Sequence, residues 1–166
     1  MSGLDAFTVF HTALSLVQLV SGIIVVIALV GSRSGGAWLW IYLVSAIATS
    51  VTGFGFPVDK FLPSHAFGII SLVLLLLVIL ARYTFHLAGA WRWIYAVGLV
   101  ITVYLDAFVA VVQAFLKIPA LHALAPGGSE PPFAIAQGVL FVIFLILAVM
   151  AARKFHPGTA LGAQGA

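Results

Sequence analysis

Five apolar stretches, each long enough to cross a lipid bilayer, dominate this chain. They cover about residues 6–30, 37–56, 65–86, 91–116 and 131–155. Because a helix rises about 1.5 Å per residue, roughly 20 residues cross the ~30 Å hydrocarbon layer. A chain of 166 residues that is 64% hydrophobic and 7% charged has too much apolar surface for a soluble fold. We therefore predict an all-α integral membrane bundle of about five transmembrane helices.

Short polar segments separate these stretches and predict where the helices end. Glycine and serine fill the first connection, Gly31–Gly36, and Pro57 begins the second. The fourth connection contains IPALHAL, which we expect to lie along the interface as a short helix. Residues 1–156 are predicted to form one transmembrane domain, and residues 157–166 a flexible tail. The chain has no cysteine, which excludes disulfides and thiolate metal sites.

The distribution of basic residues predicts the orientation of the bundle. One side carries only Lys60 and Lys117, while the other carries five basic residues: Arg33, Arg82, Arg92, Arg153 and Lys154. Because cytoplasmic segments are enriched in Lys and Arg, we expect the N-terminus outside and the C-terminus in the cytoplasm. The chain lacks the basic start of a cleavable signal, so the first stretch is predicted to remain a span. The expected location is the bacterial cytoplasmic (inner) membrane, with several passes.

Three of the predicted helices carry polar side chains at helical spacing, along one face of each helix. The stripe on the first is Thr8, His11, Ser15, Gln18 and Gly22; on the second, Tyr42, Ser45, Thr49 and Thr52; on the fourth, Tyr95, Thr102, Asp106, Gln113 and Lys117. The fifth is nearly all apolar and is expected to face lipid. We predict an intramembrane pocket, with His65 at its mouth, lined by His11, Ser15, Gln18, Ser45, Thr49, Thr52, Thr102, Asp106 and Gln113.

Asp106 is the one acidic residue among the predicted pocket residues. A carboxylate near the middle of a membrane costs several kcal/mol unless it is paired or protonated, so such residues usually mark functional sites. The functional interpretation is that Asp106 binds a proton or cation in a protein that binds or translocates a proton, cation or small polar ligand. The structural alternative is a protonated Asp106 that only bonds Gln18 or Ser45. Hydrogen bonds of that kind contribute about 0.6 kcal/mol on average.

Two other classes of function stay open. The first is a redox subunit that holds haem or a quinone in the same pocket. His11 and His65 are the candidate ligands on the outer side, where they are also candidate zinc or copper ligands, although no metal site is assigned. The second is a structural or accessory subunit of a larger membrane complex, or a homo-oligomer. No catalytic motif is visible, so an enzyme is not favoured. The absence of a Lys/Arg cluster excludes a nucleic-acid partner and leaves the lipid bilayer.

A resemblance to known sequences covers about the second to the fifth helix and rests on four short segments: ARY, GAWRWIY, FVAVVQAF and SEPPF. In these segments the chain resembles a group of small bacterial five-helix membrane proteins that have no assigned activity. The resemblance implies a five-helix bundle in a bacterial membrane. It implies no substrate, cofactor or catalytic residue.

Overall fold

The computed structural model describes residues 3–56 and 63–156. It is 84% helix, without strands in that part of the chain, and five helices are long and apolar enough to span a membrane. The helices are α1 Gly3–Val30, α2 Gly36–Gly53, α3 Pro63–Ile79, α4 Trp91–Lys117, α5 Pro119–Leu124 and α6 Pro131–Lys154. The prediction of an all-α bundle with five helices long and apolar enough to span a membrane is therefore confirmed, and α5 forms in the segment predicted to be a short helix. The predicted loop at residues 57–62 and the tail at 157–166 lie outside the described residues.

The C-terminal ends of the second and third spans differ from the predicted positions by more than one residue. The structure ends α2 at Gly53, where the backbone amides of Phe54 and Gly55 turn back onto the carbonyls of Val51 and Thr52. The third span continues beyond α3 as a π-helical turn, Leu80–Thr84. It ends before His86 because His86 and Leu87 adopt left-handed backbone angles, with φ of 50° and 60°, which stop a right-handed helix.

The first four spanning helices form a ring. α1 packs against α2 and α4, and α3 packs against the same two helices from the other side. α6 lies outside this ring, mainly against α4 and less against α1. No residue in the most apolar 18-residue stretch of α6 is buried within the protein, so this helix presents most of its surface outward. An outward apolar surface of this kind is suited to lipid.

The two ends of the ring differ in character. We call the end where α1 begins and α4 finishes the N-terminal end, and the opposite end, which carries Arg33, Arg82, Arg92 and Arg153, the arginine end. The apolar core fills the half towards the arginine end, with Val25, Leu29, Leu39, Leu99 and Val103 among its fully buried members. Polar side chains in the interior are concentrated on the other side of this core.

Two of the four arginines at the arginine end, Arg82 and Arg92, bond uncharged groups of the protein. The Arg82 guanidinium donates to the Tyr95 hydroxyl at 3.4 Å and lies over the Tyr95 ring. The Arg92 guanidinium donates to the backbone carbonyl of Phe155, just past the end of α6. These contacts close the apolar core towards the arginine end.

Candidate functional site

A chain of hydrogen bonds crosses the interior of the ring from α2 to α4. The hydroxyl of Tyr42, which is completely buried, donates to the Thr102 hydroxyl at 2.7 Å. The Thr102 hydroxyl donates in turn to the Leu99 carbonyl of its own helix at 2.9 Å. The Leu99 carbonyl oxygen carries no proton and can only accept, so the chain ends there.

Asp106 lies one helical turn beyond Thr102 on α4, towards the N-terminal end. The side chains of Gln18 from α1 and Tyr42 from α2 lie beside its carboxyl group. Its Oδ2 atom is buried and has no hydrogen-bond partner among the described residues. Three helices therefore meet at this carboxyl group, and one of its oxygens is left unpaired in the interior.

The absence of a side chain at Gly22 on α1 makes this meeting possible. The Tyr42 ring and the Val103 side chain occupy the space that a Cβ atom at this position would take. Gly22 follows Gln18 by four residues and shares its helical face. Close packing at Gly22 thus brings Tyr42 to the same side of α1 that presents the Gln18 amide.

Most hydroxyl groups of the cluster use their own proton within their helix. Ser15 donates to the His11 carbonyl, Ser45 to the Ile41 carbonyl, and Thr52 to the Ala48 carbonyl. A hydroxyl that donates in this way presents only lone pairs to its surroundings. The Thr49 hydroxyl differs, because it is buried without a hydrogen-bond partner in the described part of the chain. The cluster is accordingly rich in hydrogen-bond acceptors, and two of its buried oxygens, on Thr49 and Asp106, have no hydrogen-bond partner among the described residues.

Aromatic rings surround the polar cluster at the N-terminal end. The His11 ring bonds the Thr52 hydroxyl through Nδ1 at 2.8 Å and meets the Phe56 ring edge-on. The Thr52 hydroxyl also lies 2.7 Å from the Ala48 carbonyl of its own helix, so it joins the His11 ring to the backbone of α2. His65 stacks instead on Phe54, with 5.5 Å between ring centroids. The two histidines therefore have different partners.

The structure places the predicted pocket residues at three kinds of position. Three of them are buried: Gln18, Ser45 and Thr102. Five are half-buried when the whole residue is considered: His11, Ser15, Thr49, Thr52 and Asp106. One of them, Gln113, is exposed. Of these residues, Gln18 lies beside Asp106, and the His11 ring bonds the Thr52 hydroxyl at 2.8 Å. His65, predicted at the mouth, is buried at the beginning of α3. Within the described residues, no group of three or more His, Cys, Asp or Glu side chains could hold a metal ion.

Tyr42 is the central residue that the predicted pocket left out. It belongs to the polar stripe of the second helix, three residues before Ser45, and this spacing was the available signal. From the sequence alone this tyrosine is not assigned to the pocket, because a buried tyrosine is most often a core residue.

Comparison with protein-family models, with curated proteins and with solved structures finds no match to this chain.

Proposed function

We propose that this multi-pass protein resides in the bacterial cytoplasmic membrane and binds or translocates a proton, a cation or a small polar ligand at the cluster around Asp106. The observation that carries the proposal is the buried, unpaired Oδ2 of Asp106 at a point where α1, α2 and α4 meet. An unpaired buried oxygen costs about 1–3 kcal/mol. A ligand that supplies the missing partner recovers that free energy.

The depth of Asp106 supports an intramembrane site. At about 1.5 Å per residue, Asp106 lies roughly 16 Å along α4 from Lys117 and roughly 22 Å from Trp91. Acidic side chains this far from either helix end commonly mark ion or proton pathways. The polar residues of the cluster continue from this point towards the N-terminal end, and the apolar core lies on the other side.

The hydrogen-bonding character of the cluster favours an electropositive or donor ligand. Ser15, Ser45 and Thr52 direct their protons into their own helices, so their lone pairs face the surroundings. Asp106 adds further acceptor oxygens. An anion beside Asp106 would meet these acceptor oxygens and would be repelled.

Proton flux into proteoliposomes tests the proposal. Wild-type protein, reconstituted in vesicles with an entrapped pH indicator, is expected to carry protons when a K⁺ diffusion potential is imposed. Asp106→Asn removes the ionisable group, and its flux is expected to fall to that of empty vesicles. Asp5→Asn, at an exposed aspartate near the beginning of α1, is the matched control and should behave as wild type. If neither protons, Na⁺ nor K⁺ moves, and none binds detergent-solubilised protein, the proposal is wrong.

The proposed orientation, with the N-terminus outside and the C-terminus inside, has a separate test. The natural chain has no cysteine, so each introduced cysteine reports alone. In intact cells, a membrane-impermeant thiol reagent should label Ser129→Cys in the connection between α5 and α6. It should label Ser34→Cys, between α1 and α2, only after the cells are opened. The reverse pattern would invert the proposed orientation.

A further inference from the structure

We infer that the arginine end of the bundle binds the headgroup of an anionic phospholipid, whose acyl chains lie along the outward apolar surface of α6. The headgroup is bound by an exposed basic patch that consists of Arg33, Arg153 and Lys154. The basic patch is separate from the proposed function, because none of its residues belongs to the cluster around Asp106.

A hydrogen bond between two distant parts of the chain brings the residues of the basic patch together. The backbone amide of His156, just beyond α6, donates to the Ser32 hydroxyl in the turn after α1 at 3.1 Å. Arg33 follows Ser32 directly. Lys154 precedes His156 by two residues, and Arg153 precedes it by three. Since consecutive Cα atoms are about 3.8 Å apart, the three long side chains begin within reach of one anionic group.

Both backbone segments that carry the basic patch are held in place. In the turn after α1, the Arg33 amide donates to the Ala28 carbonyl at 2.8 Å. At the end of α6, the Phe155 ring is completely buried and lies against Tyr95, with 5.4 Å between ring centroids. The Arg92 guanidinium donates to the Phe155 carbonyl. The basic patch is therefore a fixed feature of the fold.

The described part of the protein places no counter-charge at the basic patch. Its three side chains are exposed. The acidic residues that the structure describes are Asp5 and Glu130, at the N-terminal end, and Asp106, inside the bundle. Like charges that are held together repel one another, and an anion between them relieves this repulsion. Charge complementarity therefore favours an anionic partner.

The surroundings of the basic patch favour a lipid as the source of this anion. The most apolar stretch of α6 has none of its residues buried within the protein, and exposed apolar side chains continue to Val149, one helical turn before Arg153. Trp38 and Trp93 are exposed at the same end, and such tryptophans are typical of the level of lipid headgroups. A phospholipid offers an anionic group and apolar chains together, whereas a soluble anion matches only the charge.

The tryptophans of the chain supply a local reporter for this lipid. All four lie at the arginine end, so their fluorescence reports contacts made there: Trp38, Trp40, Trp91 and Trp93. The whole protein is reconstituted in phosphatidylcholine vesicles with a small fraction of phosphatidylglycerol whose acyl chains are brominated, because bromine quenches tryptophan on contact. We expect stronger quenching than by the same fraction of brominated phosphatidylcholine, which has the same chains and a zwitterionic headgroup.

Variants of the basic patch locate the preference for phosphatidylglycerol. A basic side chain near an anionic membrane surface strengthens binding by about fivefold, so Arg33→Gln should lower the relative binding constant by about that factor. In the variant Arg33→Gln/Arg153→Gln/Lys154→Gln, the two brominated lipids should quench nearly alike. Arg33→Lys/Arg153→Lys keeps the charge and should keep the preference. Lys117→Gln removes a basic residue at the N-terminal end and should behave as wild type.

Each outcome supports or overturns the lipid site. Equal quenching by the two lipids in wild-type protein overturns it, as does a preference that survives in the triple glutamine variant. A preference lost in the lysine variant or in Lys117→Gln overturns it too, because charge at the basic patch is then not the cause. If millimolar inorganic phosphate abolishes the preference and chloride at equal ionic strength does not, the patch binds a soluble anion and the lipid assignment is wrong. Loss in the triple glutamine variant alone supports the lipid site.

Discussion

The Tyr42 ring of α2 lies against Gly22 of α1 so closely that a Cβ atom at Gly22 would come within 2.9 Å of its Cε2 atom. The same Cβ would lie 2.8 Å from Cγ2 of Val103 on α4. Three helices are therefore in direct contact at one glycine, directly beside the hydrogen-bond chain that leads to Asp106. Packing and polar chemistry are coupled at this point, because the position of the Tyr42 ring also sets the position of its hydroxyl.

Gly22→Ala is expected to destabilise the bundle. The added methyl group overpacks the contact with Tyr42 and Val103, which typically costs about 1–3 kcal/mol. The free energy of unfolding in detergent micelles, measured with a denaturing detergent, checks this. Gly138→Ala on α6 is the matched control, because a Cβ there meets nothing within 4 Å. Equal stability of the two variants would show that the helices separate easily around Gly22.

Two threonines that differ in their hydrogen bonds give a second pair of variants. Thr102→Val removes the acceptor for Tyr42 and the donor for Leu99, and we expect it to lower the free energy of unfolding by about 1 kcal/mol or more. Thr49→Val removes a buried hydroxyl that has no partner within the described structure, so it should be neutral or stabilising by up to about 1 kcal/mol.

The same two variants should behave differently in the flux assay. If the Thr49 hydroxyl meets a ligand or water near Asp106, Thr49→Val should slow proton flux while leaving stability unchanged or increased. A Thr49→Val variant that is as destabilised as Thr102→Val would contradict the assignment of Thr49 as an unpaired group.

Helical spacing grouped the candidate site residues on one face of each helix, and the limit of this reasoning is visible at Gln113. Gln113 shares a face of α4 with Thr102 and Asp106, yet its side chain is exposed. The angular position of a residue on its helix predicts the direction of its side chain. It does not predict whether a neighbouring helix covers that face at the same depth in the bundle. The proximity of Gln18 to Asp106 could be predicted from the sequence, because the two residues lie at similar depths and each belongs to the polar stripe of its helix. The proximity of Tyr42 could not, because it depends on the close approach of helices at Gly22.

The sequence located the five spans but not the end of the third. Apolar residues continue through the π-helical turn, so composition has no feature that marks the change at Leu80. The left-handed angles of His86 and Leu87 arise from the connection to α4 and carry no glycine or asparagine signal. Tertiary packing decides such details, and a local pattern cannot report them.

The connection before α6 should respond to acid through Glu130, the single glutamate of the chain. Its carboxylate accepts hydrogen bonds from the backbone amides of Gly127 at 2.7 Å and Ser129 at 2.9 Å, and these bonds lower the pKa of Glu130 below its ordinary value of 4.5. A lowered pKa means that the bonds are present above pH 4.5 and are lost as the pH falls through the lowered value.

Amide chemical shifts of Gly127 and Ser129, followed by NMR during acidification, check this behaviour. Both amides should move together with one midpoint below pH 4.5. In Glu130→Gln, which keeps an acceptor but cannot titrate, neither amide should show that transition. A midpoint at or above 4.5 in the wild-type protein would mean that the backbone bonds do not stabilise the carboxylate.

Arg92 is expected to hold the end of α6 in place. Its guanidinium donates to the Phe155 carbonyl and lies 4.9 Å from the centre of the Trp93 ring. Arg92→Ala should therefore cost about 1 kcal/mol and speed hydrogen exchange of the amides near Ala151. Arg153→Ala removes an exposed arginine at the same end and should change neither quantity. If Arg153→Ala has the larger effect, charge at this end matters more than the contact with Phe155.

The position of α6 outside the ring has a consequence for the order in which the protein is assembled. The four earlier spans contain the polar cluster and most of the apolar core, and they leave the ribosome first. α6 then joins from the lipid side, where van der Waals packing and a few hydrogen bonds, such as the one from Gln137 to the Phe108 carbonyl, hold it against α4. Biogenesis can thus shape the Asp106 environment before the last helix enters the bilayer, and α6 supplied as a separate chain should still find its place.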